Sequence, residues 1–507
     1  MVSMEKKSAI LMSVGSFLVV TGAVMAVFWP SLFMLVLKKI MVLAPGSTSY
    51  NIWKEIPIPM YLEFFMFNIS NVDDILAGKN VKMQVEQFGP YVFREYHKKV
   101  NITFNDNATV TFYNERTWFY EPEMSNGTLD DVITSINPII ATVAYVLRNQ
   151  HPLLKVPVDV FMRMFHDNMF LTAPVRNWLF DGIEDPVLDV ANHFPDLPIN
   201  IPYDRFGWFY ERNGSKEFDG IFLMNTGAKD FSSLGNVEKW KYSDRSNFRD
   251  ECGVVQGSTG ELWAPELGQQ ELTVFAPDIC TYMNLARTDN PVEVLGVQGV
   301  EYAANNSLFD NGYRYPSKIM AILQISGEKK ISKMYGVPLI LFFVVGDLIL
   351  MVLEGISNGG NLTYFLTDKT FLIFIKTVLS CFLSFLPSDM NFRLSLEMYT
   401  GMPLSVAAQL QINLLVRHVD AITINNQLPD RDTLVPMFWF RQELFMTEQY
   451  ASLARLALGV RSGVPIGLYT ITVAVGILLL VIGIFILLKK LLKPSDTLLD
   501  SPHEVVQ

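Results

Sequence analysis

The sequence predicts an α+β protein in which a large, sheet-rich domain lies between two membrane-spanning helices. The 507 residues are 50% hydrophobic and only 18% charged, which is too apolar for an ordinary soluble enzyme. One long uncharged run lies near each end of the chain. Between these runs, short segments alternate apolar and polar residues and are separated by Gly, Pro and Asn, a pattern typical of strands and turns.

The first uncharged run covers residues 8–28 and follows a short N-terminus of residues 1–7. At ~1.5 Å per residue a helix of this length reaches roughly 32 Å, which is enough to cross the hydrocarbon core. Trp29 and Pro30 are expected to mark the membrane interface and the end of the helix. A cleavable signal peptide is the alternative, but the run exceeds a usual h-region and no A-x-A site follows.

The second uncharged run covers residues 463–488 and predicts a second transmembrane helix. Lys489, Lys490 and Lys493 follow it directly, and they place the tail, residues 489–507, in the cytoplasm. Lysines flank the first helix on both sides, so charge alone leaves the orientation of that helix open.

Glycosylation signals settle the orientation. Six Asn-X-Ser/Thr triplets lie in one continuous region after the first run, and one more lies at Asn361. They predict that residues 29–462 form a glycosylated ectodomain with both chain termini cytoplasmic. The predicted acceptors are Asn68, Asn101, Asn107, Asn126, Asn213 and Asn305.

The ectodomain begins with a strand pattern between Leu62 and Tyr120, which predicts antiparallel sheet. From Ser135 to Leu188 apolar residues recur at steps of three and four, and this spacing predicts a helical insertion over 135–188. Short strands and turns resume after Pro202, so we expect a large β core.

Catalytic and metal-binding signatures are missing from the sequence. There is no G-x-S-x-G, H-E-x-x-H or Walker loop, and the six His residues are dispersed without metal-ligand spacing. We therefore expect neither an enzyme, nor a cofactor, nor a metal site. A formal charge of −11 with no basic face argues against nucleic acid as a partner.

The helical insertion carries the candidate ligand-binding residues. An apolar, Met-rich surface rimmed by cations suits amphiphiles with an acidic head, because Met repacks around varied tails while a cation holds the carboxylate. The alternative is that the same side chains only pack and solvate the helices. The candidates are Arg148, Lys155, Arg163, Met164, Phe165, His166, Met169 and Phe170.

Several long motifs resemble one family. The chain is similar to the class B scavenger receptors, a group that includes the fatty-acid translocase, the lysosomal integral membrane proteins and the insect sensory neuron membrane proteins. The resemblance covers residues 1 to about 315 and about 395 to 490, and rests on "FGPYVFREY", "FGWFYERNGS", "ECGVVQGSTGELWAPEL", "VFAPDIC" and "TGMPLSVAAQLQINLLVR".

This resemblance implies an antiparallel β-barrel-like ectodomain with a helical cap at 135–188 and an internal hydrophobic tunnel. It implies a plasma-membrane receptor that binds lipids, fatty acids, lipoproteins or anionic lipid surfaces and passes apolar cargo through the tunnel to the membrane. A homo-oligomer is left open. Within the cap, "MRMFHDNMF" offers Arg163 and His166 but no lysine, which weakens the case for highly anionic ligands.

The alternative function is a lysosomal membrane receptor that sorts a protein partner. The tail contains Leu498 and Leu499, but Pro494 stands where an acidic dileucine signal requires Asp or Glu. This departure weakens the lysosomal alternative.

Residues 316–394 interrupt the resemblance with an aberrant hydrophobic segment. The run from Val337 to Leu353 is apolar enough for marginal membrane insertion despite Asp347, so a third span is one interpretation. A divergent isoform is another, and we favour translation of a misspliced or retained intron.

The interruption at residues 316–394 also affects the cysteines. Relatives pair the equivalents of Cys252 and Cys280 with cysteines that this chain lacks, so the resemblance implies that both are orphaned. Cys381, the third cysteine of the chain, lies inside the aberrant segment.

Overall fold

The computed structural model describes residues 4–79, 81–148, 150–191, 203–246, 253–265, 268–304, 392–416, 418–426 and 433–492. These residues form two compact units, one made of Met1–Ile40 with Glu448–Gln507 and the other of Met41–Thr447. Predictions for Cys252, Asn305, Cys381 and most of residues 316–394 lie outside the described residues, as does the tail beyond residue 492.

The first unit consists of the two terminal helices, α1 (Met4–Met41) and α7 (Glu448–Leu491). Both are long and apolar enough to cross a membrane, and each contains an 18-residue stretch whose mean hydropathy is 2.2 in α1 and 3.2 in α7. The predicted helix end at Pro30 is wrong, because α1 continues through it to Met41. A proline removes one hydrogen bond of a helix, and the apolar residues that follow Pro30 continue the helical pattern.

The terminal helices approach each other at small residues. A Cβ placed on Gly22 would lie 1.9 Å from Thr472 Oγ1, and one on Gly15 would lie 2.7 Å from the carbonyl oxygen of Gly476. Small residues at helix contacts let two backbones come close in a membrane. Larger side chains at these glycines would therefore force the helices apart.

The second unit is built on a large antiparallel sheet. Within the described residues its secondary structure comprises α2 (Thr48–Lys54), β1 (Met60–Ile69), α3 (Val72–Leu76), β2 (Val85–Phe104), β3 (Thr109–Tyr120), β4 (Val132–Ile136), α4 (Pro138–Leu147), α5 (Pro152–Phe165), β5 (Phe170–Pro174), a π-helical turn (Asn177–Asp181), β6 (Ile183–Glu184), α6 (Pro186–Ala191), β7 (Arg205–Phe206), β8 (Ile221–Asn225), β9 (Val237–Trp240), β10 (Glu271–Ala276), β11 (Thr281–Val294), β12 (Val297–Ala303), β13 (Arg393–Leu396), β14 (Pro403–Val416) and β15 (Thr433–Phe445).

Eleven of these strands form one sheet in the order β10-β11-β12-β13-β14-β15-β1-β2-β3-β8-β9. The segment around Ser258 joins its two edges. The amide of Ser258 donates to the Thr273 carbonyl on β10 at 3.0 Å, and the amide of Val237 on β9 donates to the Gly257 carbonyl at 2.8 Å. The sheet is thereby nearly closed, which confirms the predicted β-barrel-like core.

The barrel interior near the insertion is packed with aromatic rings. Phe64 on β1 is fully buried, and the rings of Phe93, Phe209 and Phe438 lie 5.1 to 5.9 Å from its own. Strand alternation explains this placement, since Leu62, Phe64 and Met66 occupy every second position of β1 and share one face.

The insertion is less helical than its spacing predicts. Strand β4 pairs with β5, so residues 132–136 and 170–174 form a two-stranded sheet that frames α4 and α5. The β-branched run "VIT" favours a strand at the start of this region. Helix α4 begins at a clear cap, where the Asn137 side chain accepts a hydrogen bond from the amide of Ile139 at 2.9 Å.

Candidate functional site

Helix α5 turns two of its three charged residues, Lys155 and Asp159, inward. Lys155 is 6% exposed, and its Nζ donates to the carbonyl oxygen of Arg148 at 2.7 Å. Asp159 is 5% exposed and accepts hydrogen bonds from Thr423 Oγ1 at 2.6 Å and from the amide of Ile424 at 3.2 Å. Buried polar groups are stable only when they are hydrogen-bonded, and both side chains meet this condition.

The opposite face of α5 is apolar and exposed. Its residues recur at steps of three and four and so share one side of the helix, with Leu153 81% and Met164 71% exposed. We call this surface the α5 stripe. It consists of Leu153, Val156, Val160, Met164 and Phe165.

The structure brings together three of the predicted cap residues, Arg163, Met164 and Phe165, at the C-terminal end of the stripe. Arg163 is exposed, and its Nη1 donates to Thr423 Oγ1 at 2.7 Å. Since Thr423 in turn donates to Asp159, the guanidinium is held beside the apolar surface. This end of α5 therefore presents a cation next to exposed apolar side chains.

The other predicted cap residues are placed elsewhere. Met169 is fully buried in the core, and Phe170 is half-buried at the start of β5. The guanidinium of Arg148 lies 3.6 Å from the centre of the Tyr145 ring. Together with the buried Lys155, these residues stabilise the cap from within and do not lie on the α5 stripe.

His166 caps the C-terminal end of α5, where its Nε2 lies 2.9 Å from Oδ2 of the buried Asp185. The predicted set also omitted Leu153, Val156 and Val160, which the structure places on the stripe. Their spacing was visible in the sequence, but spacing alone does not tell which helix face is buried.

The second candidate site lies inside the barrel, on neighbouring strands β2 and β3. Three register pairs bring polar side chains together there: Glu95 with Trp118, His97 with Arg116 and Lys99 with Asn114. Glu95, Lys99 and Asn114 are each at most 5% exposed, whereas Tyr96 between them is 49% exposed. The alternation thus points the polar residues inward. We call this charged group the interior polar cluster; its members are buried or half-buried except for Asp278, which is exposed. It consists of Glu95, His97, Lys99, Arg116, Arg212, Asp219, Glu261 and Asp278.

Two arginines and two aspartates form an ion-pair ring within this cluster. Nη2 of Arg116 lies 2.8 Å from Asp219 Oδ2, and its Nη1 lies 3.5 Å from Asp278 Oδ2. Arg212 pairs with Oδ1 of Asp278 and lies 3.5 Å from Oδ1 of Asp219. Each arginine therefore contacts both aspartates, and the two positive charges are matched by two negative ones.

Burial and these neighbours shift several pKa values. Burial by itself would raise the pKa of Asp278, but Arg212 and Arg116 outweigh it and hold that pKa well below its ordinary value. Burial raises the pKa of Glu95, although Arg116 opposes the shift. Burial, with help from Lys99 and Arg116, holds the pKa of His97 well below its ordinary value, so this imidazole is neutral at pH 7.

A deeper ion pair adjoins the ring. Lys99 is 1% exposed, and its Nζ lies 2.5 Å from Glu261 Oε1. Burial lowers the pKa of Lys99, whereas Glu261 acts to raise it. Lys99 Nζ also lies 5.7 Å from the centre of the Trp53 ring.

A cavity of about 100 Å³ adjoins the ring. Its lining contains both aromatic and charged residues, so the space suits a molecule that has apolar and polar parts. The aromatic residues include Trp118, Trp208, Phe209, Phe438 and Phe440, and the charged residues include Glu95, Arg116, Arg212, Asp219 and Asp278.

Comparison with known proteins identifies the family. A model of the CD36 family matches residues 13–341 and 387–487, which is most of the chain. The chain belongs to the CD36 family. This membership and the two apolar terminal helices confirm the resemblance to the class B scavenger receptors and make the chain a membrane protein with a hairpin topology.

Three relatives illustrate the range of the family. Scavenger receptor class B member 1 of Bos taurus is 28% identical over 448 residues, covering 86% of this chain and 81% of the relative. Protein peste of Drosophila melanogaster is 29% identical over 434 residues, covering 84% and 73%. Lysosome membrane protein 2 of Homo sapiens is 25% identical over 452 residues, covering 85% and 84%.

The family match reaches further than the motifs alone indicated. It runs to residue 341 and resumes at residue 387, so it covers both ends of the segment 316–394 and leaves 342–386 unmatched. The origin of this segment stays a prediction.

The predicted modifications are placed as follows. Asn101, Asn107, Asn126 and Asn213 are exposed, and Asn68 is half-buried. Exposure suits a glycan, and glycosylation itself stays a prediction.

Cys280 is 5% exposed, with its Sγ 3.5 Å from the carbonyl oxygen of Pro277. The prediction that Cys280 lacks its disulfide partner concerns residues outside the described part of the chain, so it also stays a prediction.

Proposed function

We propose that this protein is a cell-surface receptor of the scavenger type that captures lipids or lipoproteins on the α5 stripe and passes apolar cargo through the barrel interior to the membrane. The observation that best supports this proposal is the inverted orientation of α5, whose apolar face is exposed while Lys155 and Asp159 are buried. A helix that buries Lys155 and Asp159 while it exposes Leu153 and Met164 keeps an apolar surface in water. Such surfaces are typical of sites that bind apolar partners.

The energetics favour an apolar contact oriented by a cation. Burial contributes ~25 cal/mol per Å², and full burial of one large apolar side chain contributes ~1.5 to 3 kcal/mol. Five such side chains supply most of the affinity for a lipid surface, while Arg163 orients an acidic head group. The similarity to scavenger receptors supports a receptor rather than an enzyme.

The test uses two methionines that are both exposed. Met164 is 71% exposed on the stripe, and Met124 is 50% exposed elsewhere in the ectodomain. In cells that express equal amounts at the surface, Met164→Asp should lower binding of fluorescent phospholipid vesicles by ~10-fold. The reason is that a charge replaces an apolar side chain that the lipid would bury on binding. Met124→Asp should bind like the wild type. Equal binding by both variants would remove the stripe from the mechanism.

A second candidate function is a lysosomal membrane receptor that sorts a protein partner. Similarity to lysosome membrane protein 2 of Homo sapiens favours it. Microscopy of the tagged chain distinguishes the two, since the receptor proposed above lies at the plasma membrane and the sorting receptor lies mainly in lysosomes.

A further inference from the structure

The lining of the cavity carries unused hydrogen-bonding groups of both kinds. Within the described part of the chain, Nε1 of Trp208 and the Nε atoms of Arg116 and Arg212 are buried donors without an acceptor. Oδ2 of Asp219 is a buried acceptor to which no donor is aligned, although Nη2 of Arg116 lies 2.8 Å away. All four residues line the same cavity. Buried polar groups are stable only when they are hydrogen-bonded, so an occupant of this space has to both accept and donate.

Two other tryptophans on the lining bond to the protein itself. Trp118 Nε1 donates to Glu95 Oε2 at 3.0 Å, and Trp240 Nε1 donates to the carbonyl oxygen of Asp219 at 2.6 Å. Trp208 differs from both, because its indole N–H has no acceptor among the residues that the structure describes. The unused groups therefore belong to the ion-pair ring and to Trp208.

The charges of the ring require no added ion. Arg116 and Arg212 each contact both aspartates, so two positive charges are matched by two negative ones. A further ion would bring a charge that the ring does not balance, and desolvation of such a charge is costly. The ring therefore favours a neutral occupant.

The size of the cavity limits its occupant further. Its volume of about 100 Å³ is well below the ~300 to 1,000 Å³ of pockets that take drug-sized ligands, so the acyl chain of a lipid does not fit. At ~30 Å³ per molecule, the same space holds about three water molecules. Water is neutral and both donates and accepts, so a few molecules can serve all four unused groups.

Water has access to the cavity from the surface. Lys241 and Asp278 belong to the lining and are both exposed, so part of the rim reaches solvent. An apolar chain that displaced water from the unused groups would leave each of them without a partner. The lining is therefore selective for water over apolar cargo, even though aromatic rings contribute to it.

We infer that the cavity is a water site, in which ordered water molecules bridge Trp208, Arg116, Arg212 and Asp219, and that this hydrated ring excludes apolar cargo. The inference rests on the proposed function, because it names a part of the barrel interior that the cargo bypasses.

The first test is a high-resolution crystal structure of the purified full-length protein. Electron density should show at least one water molecule ~2.7 to 3.2 Å from Trp208 Nε1 or Asp219 Oδ2. Density for an acyl chain in the cavity, or no ordered water at any of the four unused groups, would overturn the inference.

The second test uses xenon, an atom that enters dry apolar cavities. Wild-type crystals under xenon pressure should show no xenon in the cavity, because it cannot replace the hydrogen bonds of water. Xenon bound beside Trp208 would contradict the assignment. Both tests use the wild type, so neither depends on a variant that folds.

The third test is a gain of signal, which misfolding cannot imitate. Arg212→Met combined with Asp219→Leu removes one charge of each sign, together with one unused donor and the unused acceptor. Apolar replacement of both partners of a buried ion pair is often tolerated. Crystals of this double variant should take up xenon in the cavity where wild-type crystals take up none.

The matched control exchanges an ion pair that lies elsewhere. Arg94 Nε lies 3.0 Å from Glu121 Oε1, and neither residue lines the cavity. Arg94→Met combined with Glu121→Leu should leave the cavity closed to xenon. Xenon uptake by both double variants, or by neither, would show that the ring does not keep the cavity wet.

A photoreactive fatty acid tests the exclusion of cargo. After illumination of the full-length protein with a diazirine-bearing fatty acid, peptides from the α5 stripe should carry the label, and the peptide that contains Trp208 and Arg212 should not. Labelling of Trp208 or Arg212 would overturn the exclusion. If no peptide is labelled and Met164→Asp binds vesicles normally, the proposed function falls, while the water and xenon measurements still decide the inference about the cavity.

Discussion

Helix α5 and the inner face of strands β2 and β3 both turn charged side chains inward, but they satisfy them in different ways. On α5, Lys155 and Asp159 bond chiefly to backbone groups and to one hydroxyl. On the strands, Lys99 and Arg116 pair with carboxylates from distant parts of the chain. The difference matters when one partner is removed. Loss of a neutral hydrogen-bond partner removes no charge from the site, whereas loss of one member of an ion pair leaves the other charge without its counterion.

The two regions also differ in what the inversion exposes. Turning α5 releases an apolar stripe to the surface, where it can bind a lipid. Turning the β2 and β3 residues inward replaces core packing with a polar wall beside a cavity. One inversion therefore makes an outer apolar surface, and the other makes an inner polar one.

The largest expected effect comes from breaking the deepest ion pair. Glu261→Gln removes the partner of Lys99, which is 1% exposed, and should lower the free energy of unfolding by ~3 to 5 kcal/mol because a buried charge is left uncompensated. Thermal unfolding of the full-length protein in detergent measures this. The matched control is Asp74→Asn, since Lys79 and Asp74 form an exposed pair and should give no measurable change. Similar losses of stability for both variants would mean that burial does not make the Lys99–Glu261 pair more important than an exposed ion pair.

The next effect concerns the anchoring of α5. Asp159→Ala leaves Thr423 Oγ1 and the amide of Ile424 without their acceptor, and should cost ~1 to 3 kcal/mol of stability. Vesicle binding should fall as well, because Arg163 is held through Thr423. Asp159→Asn keeps one acceptor oxygen and should retain more of both properties. Full vesicle binding by Asp159→Ala would show that the stripe does not depend on this anchor.

A smaller, pH-dependent effect tests the charge of the interior wall. Burial raises the folded-state pKa of Glu95 above its unfolded value, so its contribution to stability is fully present below the unfolded pKa, about 4.3, and is lost as pH rises through the folded pKa. Glu95→Gln, which cannot ionise, should match the wild type in acid and become the more stable of the two as pH rises. Parallel stability curves for the two proteins would rule out a raised pKa.

The smallest expected effect sharpens the contrast between the two regions. Leu153→Gln changes a side chain that is 81% exposed, so the free energy of unfolding should stay within ~0.5 kcal/mol of the wild type. Vesicle binding should nevertheless fall. A large loss of stability would indicate that Leu153 packs against the cap, which would transfer it from the binding surface to the core.

The sequence by itself determined the terminal helices and the course of the β core. A run of about twenty uncharged apolar residues is a local property that needs no partner to be recognised. The period of two in β1, with Leu62, Phe64 and Met66 on one face, is equally local. The family motifs extended this prediction to a barrel with a helical insertion.

Tertiary structure decided which faces turned inward. The spacing of α5 separates Lys155 and Asp159 from Leu153 and Val160, but it does not show which face is buried. The partners of Asp159 are Thr423, 264 positions away, and the amide of Ile424. Likewise, alternation places Glu95, His97 and Lys99 on one face of β2, and such a polar face would ordinarily be expected to face solvent.

Glu261, 162 positions from Lys99, supplies the charge that makes burial stable there. Burial of a charge depends on a compensating group nearby in space, and such a group can come from anywhere in the chain.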